Sequence, residues 1–232
     1  MAEGDPYYQF GLDLGTWTFE ETVAMMAEHA GTSPDLDHWW GDDTIDVERT
    51  LDALDAMGER IGVAAREKQT VLLATGHPGA LLDVLYVPLA DALRAAGCAV
   101  PTPAEGWSYH SDEGRDGPET RAIRYTSGVA ALVGGGEFRH THHAAPMEAM
   151  LANLAGESRY WPDLVIADHG WAGAAGEAGV STVGFADCND PALFAGHVLG
   201  KIEVCVPLDD FVLPRHYIPL TRYLLARADL SA

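Results

Sequence analysis

Four short polar clusters in this sequence carry the residue types that acid–base, metal or phosphoryl chemistry needs. They are Thr75-Gly76-His77, His140-Thr141-His142-His143, Asp168-His169 and Asp187-Cys188-Asn189-Asp190. Each stands just ahead of a segment that reads as a helix, and three directly leave a run that reads as a parallel strand. A helix N-terminus offers free backbone N–H groups and a partial positive charge, which attract anions. The turn Thr75-Gly76-His77-Pro78-Gly79 fits such a cradle best, because glycine lets the backbone come close to a phosphate. Thr75, Gly76 and Gly79 are therefore candidate substrate-binding residues. The same two glycines would equally serve a plain tight turn with His77 as a helix cap. The turn is neither a Walker loop, which ends in Gly-Lys-Ser/Thr, nor the three-glycine dinucleotide fingerprint.

On an extended strand His140 and His142 would share a face. Neutral imidazoles this close suit a divalent metal or proton transfer, though three histidines can also simply cover a helix start. His143, at the helix entrance, competes with His142, and together with His77 and Asp168 they form the candidate catalytic set. Asp168, Asp187, Asn189 and Asp190 offer oxygen ligands that suit Mg²⁺ or Mn²⁺. Ordinary capping ahead of Pro191 explains Asp190 well. It explains Asp168 poorly, because Gly170-Trp171 follows. Asp209 and Asp210, at the exit of the last strand, read either as further ligands or as a surface loop. Arg139 and Arg215 could grip a phosphate with two hydrogen bonds each, and Arg139 joins the substrate-binding set. A nucleophilic serine has no Gly-x-Ser-x-Gly elbow to sit on. Cys188 stands at a helix start, where a thiol pKa falls, but no base is assigned to it.

The elements that must position these clusters follow from periodicity. Short Val- and Ile-rich runs (Thr70–Ala74, Leu164–Ala167, Thr182–Ala186, Ile202–Val206) alternate with helical segments, which argues for βαβ units and a parallel sheet. Ligands in such sheets bind beyond the carboxyl ends of the strands. Ala99–Val100 reads as a further short strand, and Pro88 predicts a kink or break near Val87. Short segments between Thr-Ser-Gly and Gly-Gly-Gly, within 121–143, predict a small antiparallel meander inserted in the pattern. Residues 110–120 read as a charged, exposed loop. Residues 1–68 read as an irregular aromatic arm followed by two helices. One opens on a capping box at Thr18 and Glu21 and stops at Gly31; the other, amphipathic, runs from Asp43–Thr44 to about Glu67. These helices read as cover, with a face for a homo-oligomer. Helices are also expected from Pro146 to Leu154 and from His216 to Ala228. The whole, residues 1–232, reads as a single α/β domain: a mainly parallel, Rossmann-like, three-layer sheet sandwiched by helices.

The chain has 232 residues, 35 acidic against 14 basic, and a formal net charge of −21. Such a surface repels a nucleic-acid backbone. No run approaches a membrane span. MAEGDPYYQF has neither the basic region nor the apolar core of a secretory signal, and the three scattered cysteines form no disulfide framework, so a cytoplasmic setting is expected. An anionic substrate would need a locally positive pocket, supplied by a metal, arginines or helix N-termini.

The segments YYQFGLDLGTWTFEETV, LLATGHPGALLDVLYVPLADALRAAGC, HTHHAAPMEAML, DLVIADHGWAGAAGEAG and GFADCNDPAL resemble a family of bacterial phosphatases, from Tyr7 to about Tyr223. The resemblance implies phosphomonoester hydrolysis without fixing a substrate. NDPALFAG also resembles the late Asn-Asp motif of haloacid-dehalogenase phosphatases, but no early Asp-x-Asp-x-Thr/Val strand end supplies their nucleophile. The expected activity is hydrolysis of a small phosphorylated metabolite, with a divalent metal (Mg²⁺ or Mn²⁺). The alternatives are a sugar-phosphate isomerase or phosphate-ester binder using the same edge without hydrolysis, and a non-catalytic module in which the clusters are caps and turns.

Overall fold

The computed structural model describes residues 7–41, 43–112, 117–156 and 160–231. The arm before the first helix has no period, yet Phe10, Leu12 and Leu14 are buried. Residues 1–6 of that arm lie outside the described residues. Helix α1 (Phe19–His29) starts on the expected capping box, with Thr18 accepting from the Glu21 amide and Glu21 accepting from the Thr18 amide. Helix α2 (Val47–Glu67) starts later than expected, at Asp46, whose carboxylate accepts from the Arg49 amide. Asp43 instead accepts from the amides of Ser33 and Thr44 and closes the preceding loop.

Strand β1 (Val71–Ala74) leads into a helical run that begins at Ala80, widens to a π-helix over Leu82–Tyr86 and resumes as α3 (Val87–Ala95). Pro88 accounts for the irregularity. Its nitrogen has no hydrogen for the carbonyl of Val84, four residues back. That carbonyl accepts from the Thr221 hydroxyl at 2.8 Å instead. The strand expected at Ala99–Val100 shrinks to a single bridge from Ala99 to Thr70.

Next come β2 (Ser108–Ser111), β3 (Glu119–Thr126), β4 (Val129–Gly134) and β5 (Glu137–Arg139), an antiparallel meander. The stretch 110–120, expected as loop, lends both its ends to the β2–β3 pair. Its residues 113–116 lie outside the described residues. The chain continues through α4 (Ala145–Leu154), β6 (Leu164–Asp168), α5 (His169–Glu177), β7 (Thr182–Ala186), α6 (Pro191–Val198), β8 (Val204–Pro207) and α7 (Pro214–Arg227).

All eight strands form one sheet in the order β2-β3-β4-β1-β6-β7-β8, with β5 on β4. Strands β4, β1, β6, β7 and β8 run parallel. Alternation along β1 and β6 divides the core. Val71, Leu73, Leu164 and Ile166 pack with residues of α2, α3 and α7 on one face. Leu72, Ala74, Val165 and Ala167 pack with residues of α1, α4, α5 and α6 on the other. The result is an α/β sandwich of three layers. Each fully buried aliphatic side chain is worth about 1.5–3 kcal/mol, so the strand ends sit on a stiff base. Among the described residues no helix is long and apolar enough to cross a membrane.

Candidate active site

Strands β1, β6, β7 and β8 deliver Thr75–His77, Asp168–His169, Asp187–Asp190 and Asp209–Asp210 to one rim, because parallel strands share their carboxyl edge. The His140–His143 cluster arrives by another route. Strand β4 starts level with the end of β1, where Ala74 pairs with Ala130, and runs on past it. Antiparallel β5 then brings the chain back to that edge, where the Thr141 amide donates to the Gly76 carbonyl at 2.9 Å. The meander is thus the device that carries the histidine cluster to the rim.

Asp168 is buried, and four donors converge on its carboxylate. Oδ2 accepts from the Thr75 hydroxyl and the Tyr86 hydroxyl, each at 2.7 Å. Oδ1 accepts from the Gly76 amide at 2.6 Å and lies 2.8 Å from His169 Nδ1. Burial works against the charge of Asp168, but the bonds from His169, Tyr86 and Thr75 hold its carboxyl below the ordinary range. Gly76 is required for this closeness: a Cβ there would meet the Thr141 carbonyl at 2.5 Å and the Asp168 carboxylate at 3.3 Å. Gly170 serves the same end, since a Cβ would meet the His142 carbonyl at 2.2 Å. His169 itself has φ +48°, a left-handed conformation that costs a non-glycine residue on the order of 1 kcal/mol or more and concentrates at functional sites.

With Nδ1 tied to Asp168, the other ring nitrogen of His169 faces outward. Nε2 lies 3.3 Å from Asp190 Oδ2 and 3.4 Å from Asp210 Oδ2. Burial opposes a charge on His169, but the hydrogen bonds and charges of Asp168 and Asp190 outweigh it and lift the group to about 10. Three more imidazoles surround this one. His142 stacks on His169 with centroids 4.9 Å apart, His140 meets it edge-on at 5.1 Å, and His77 lies parallel at 6.0 Å. Single nitrogens of His140, His142 and His169 lie within 4.8 Å of one another, as do ligand atoms of His169, Asp190 and Asp210 and of Asp187, Asp209 and Asp210. The buried Nδ1 of His142 has no hydrogen-bond partner among the described residues. Burial and the charge of His169 push His142 below its ordinary range.

The outer loops complete the rim. Asp210 sits 3.9 Å from His77 Nε2 through its other oxygen, and burial with the nearby carboxylates carries it up to about 7. Asp209 is exposed and accepts from the Phe211 amide. Asn189 is exposed and donates to Asp187 at 3.3 Å, and Asp187 also accepts from the Cys188 amide. The expectation of an activated Cys188 fails. Burial and its bond to Asp187 push the thiol up to about 12, so the helix start does not make it a thiolate.

Of the expected site residues, the structure brings together Thr75, Gly76, His77, His142, Asp168, Asp187, Asn189 and Asp190. Gly79 stands at the edge with φ +115° and open space beside it. The ring of His143 packs edge-on to Tyr7 and Tyr109 instead of joining the imidazole group. Arg139 is held by Glu119 at 2.8 Å and Glu137 at 3.0 Å, and Arg215 is exposed on α7. Three contributors escaped the sequence reading: Tyr86 beneath Asp168, and Tyr7 and Phe10 of the arm, which pack on His142 at 4.8 and 4.9 Å. The only sequence signal near Tyr86 was Pro88 with its predicted kink near Val87; the π-helix there, a widening that clusters at functional sites, is visible only in the fold.

Comparison with known proteins supplies a family. The Phosphatase family model matches residues 1–232. A curated bacterial relative, Phosphatase SCO2771 of Streptomyces coelicolor (strain ATCC BAA-471 / A3(2) / M145), is 47% identical over 234 residues, covering 100% of this chain and 86% of its own length. Both matches span the length of the sequence, and the chain belongs to the Phosphatase family.

Proposed function

We propose that this phosphatase hydrolyses a small phosphomonoester at the rim, with a divalent metal held by His140, His142 and His169 and flanked by Asp190 and Asp210. The fit rests on the chemistry of these residues. A metal-ligating histidine characteristically gives its second ring N–H to a carboxylate, which fixes tautomer and orientation. His169 does this toward Asp168 and turns Nε2 outward to Asp190 and Asp210. The buried, unpartnered nitrogen of His142 is a further polar atom in need of a partner. Three imidazoles beside carboxylates suit Mn²⁺ or another transition metal better than Mg²⁺, which prefers oxygen. When bound, the metal supplies positive charge against the phosphoryl oxygens, the main requirement of phosphoryl transfer.

The remaining roles fall to this chain's own groups. Asp168 is a positioning residue, because its oxygens are occupied by Thr75, Gly76, Tyr86 and His169. The same bonds engage the Thr75 hydroxyl and the Gly76 amide inside the rim. The phosphate is therefore met beside His169 Nε2, between Asp190 and Asp210 where the metal would sit, and not by these two groups. His77, with Nε2 turned to Asp210, is placed to hand a proton to the leaving oxygen. His142 remains in the site as a ligand. Asp187 and Asn189 brace the loop that carries Asp190.

The observation that carries the reading is the meeting of five loops, distant in sequence, around His169 Nε2. The test is phosphate release from para-nitrophenyl phosphate and a panel of phosphorylated metabolites, after chelation and re-addition of Mn²⁺, Zn²⁺ or Mg²⁺. Release restored best by Mn²⁺ or Zn²⁺ is expected. Full activity in the chelated enzyme would remove the metal from the reaction.

A further inference from the structure

A cavity of about 310 Å³ opens beside His77 and Asp210. Its other walls are Pro78, Gly79, Ala80 and the loop from Phe211 to Pro214. We propose that this cavity receives the leaving group of the substrate, and that this group is an uncharged, apolar alcohol of aryl type. The inference rests on the phosphatase reading of the rim and names the substrate class that the rim serves.

Three observations point the same way. First, Phe211 is 85% exposed and Leu213 is 55% exposed, a large apolar area left in water directly beside a polar site. Exposed apolar surface of this kind marks a contact face. Phe211 stands edge-on to His77 with centroids 5.7 Å apart, so a ring on Phe211 also lies next to the His77 imidazole. Second, the side chains lining the cavity carry polar atoms only at His77 and Asp210, which face each other at 3.9 Å. A polyhydroxylated leaving group would find side-chain partners only at His77 and Asp210 and would lose much of its hydration without compensation. Third, among the described residues no Lys or Arg lines the cavity, while Asp210 does. A second phosphate or a carboxylate on the substrate would meet like charge there. The volume lies at the small end of ligand pockets, enough for one or two rings. Gly79 keeps the floor open, since a Cβ built there meets nothing within 4 Å.

The test is binding, which needs no turnover. Phenylphosphonate, methylphosphonate and inorganic phosphate are titrated into the Mn²⁺-loaded enzyme by calorimetry. Phenylphosphonate is expected to bind about tenfold more tightly than methylphosphonate, a difference of the size that a ring against an apolar wall gives. Phe211→Ala and, separately, Leu213→Ser should cut that preference to about threefold or less without changing the affinity for inorganic phosphate. Trp39→Ala, in a different cavity near Asn189, should leave the preference intact. Equal binding of the two phosphonates, or a preference that survives both loop substitutions, overturns the assignment while phosphate binding still stands. A failure of inorganic phosphate itself to bind would instead overturn the anion site, and the leaving-group cavity with it.

Discussion

The two ends of the same sheet treat charge in opposite ways. At the amino ends of the strands, Arg60 is matched on every side. It donates to the Asp163 carbonyl at 2.8 Å, to Gln69 at 3.0 Å, and to Ser181 and Glu203 at 3.2 Å each. Asp163 in turn accepts from the Thr70 amide at 2.8 Å. At the carboxyl ends, Asp168, Asp190 and Asp210 share the single imidazole of His169, and among the described residues no Lys or Arg pairs with them. The amino end even has the larger cavity, about 610 Å³ beside Ser181, Lys201 and Glu203, yet its charges are already answered. Carboxylates in excess of the cations beside them, and not cavity size, are what favour the carboxyl end as the proposed site.

The contrast breaks most severely if the carboxyl end needs no cation. Chelation is expected to reduce phosphate release to background and to lower the melting temperature, with both restored by Mn²⁺. A ligand at about 100 times its dissociation constant stabilises by about 2.7 kcal/mol. A melting temperature unmoved by chelation would mean that His169 alone balances the carboxylates.

Next in size is Asp168→Asn, which keeps the shape but removes the charge that fixes the His169 ring. Outer partners of metal-ligating histidines typically carry about 10–100-fold in metal affinity or activity. A loss in that range is expected in the Mn²⁺ concentration needed for half-activation. An unchanged value would return Asp168 to being a structural cap.

How far the sequence reached can be judged on these same residues. The placement of Asp168 at a strand exit was legible, because a four-residue apolar run followed by a polar turn has one simple meaning. Its role was not, because saturation by Thr75, Gly76 and Tyr86 depends on residues more than 80 positions away. The capping box of α1 was legible because it is local. Strand β2 was hidden in a charged stretch, since an edge strand with exposed Ser108 and His110 has no apolar alternation to read. Tyr7 and Phe10 were visible as aromatics, but an aperiodic arm says nothing about which distant histidine it will cover.

Tyr86→Phe sharpens the comparison on a smaller scale. It deletes one of four donors to a buried carboxylate that keeps the other three. A loss of about threefold to tenfold in Mn²⁺ affinity is expected, below that of Asp168→Asn because the ring stays oriented. Arg60→Ala should do the reverse. Removing a largely buried donor hub costs about 1–3 kcal/mol of unfolding free energy, read by denaturant titration, while kcat/KM stays within about twofold because the hub lies at the other end of the strands. A large kinetic effect from Arg60→Ala would show that the two ends are coupled through the sheet.

The smallest effect is expected at Arg139, the cation that the sequence offers most plainly for phosphate. Its guanidinium is held between Glu119 and Glu137, and hydrogen bonds from Arg139 and Arg121 hold the Glu119 carboxyl below its ordinary range. Freeing Arg139 for a substrate would leave those carboxylates to be shared by Arg121 and solvent. Binding energy gained at the phosphate would be offset by bonds lost at the meander, so Arg139→Ala should change KM for a phosphomonoester by less than about twofold. Steady-state kinetics over a range of ionic strength checks this. A tenfold rise in KM that fades with salt would mean that the guanidinium leaves Glu119 for the substrate, and the carboxyl end would then have a cation of its own.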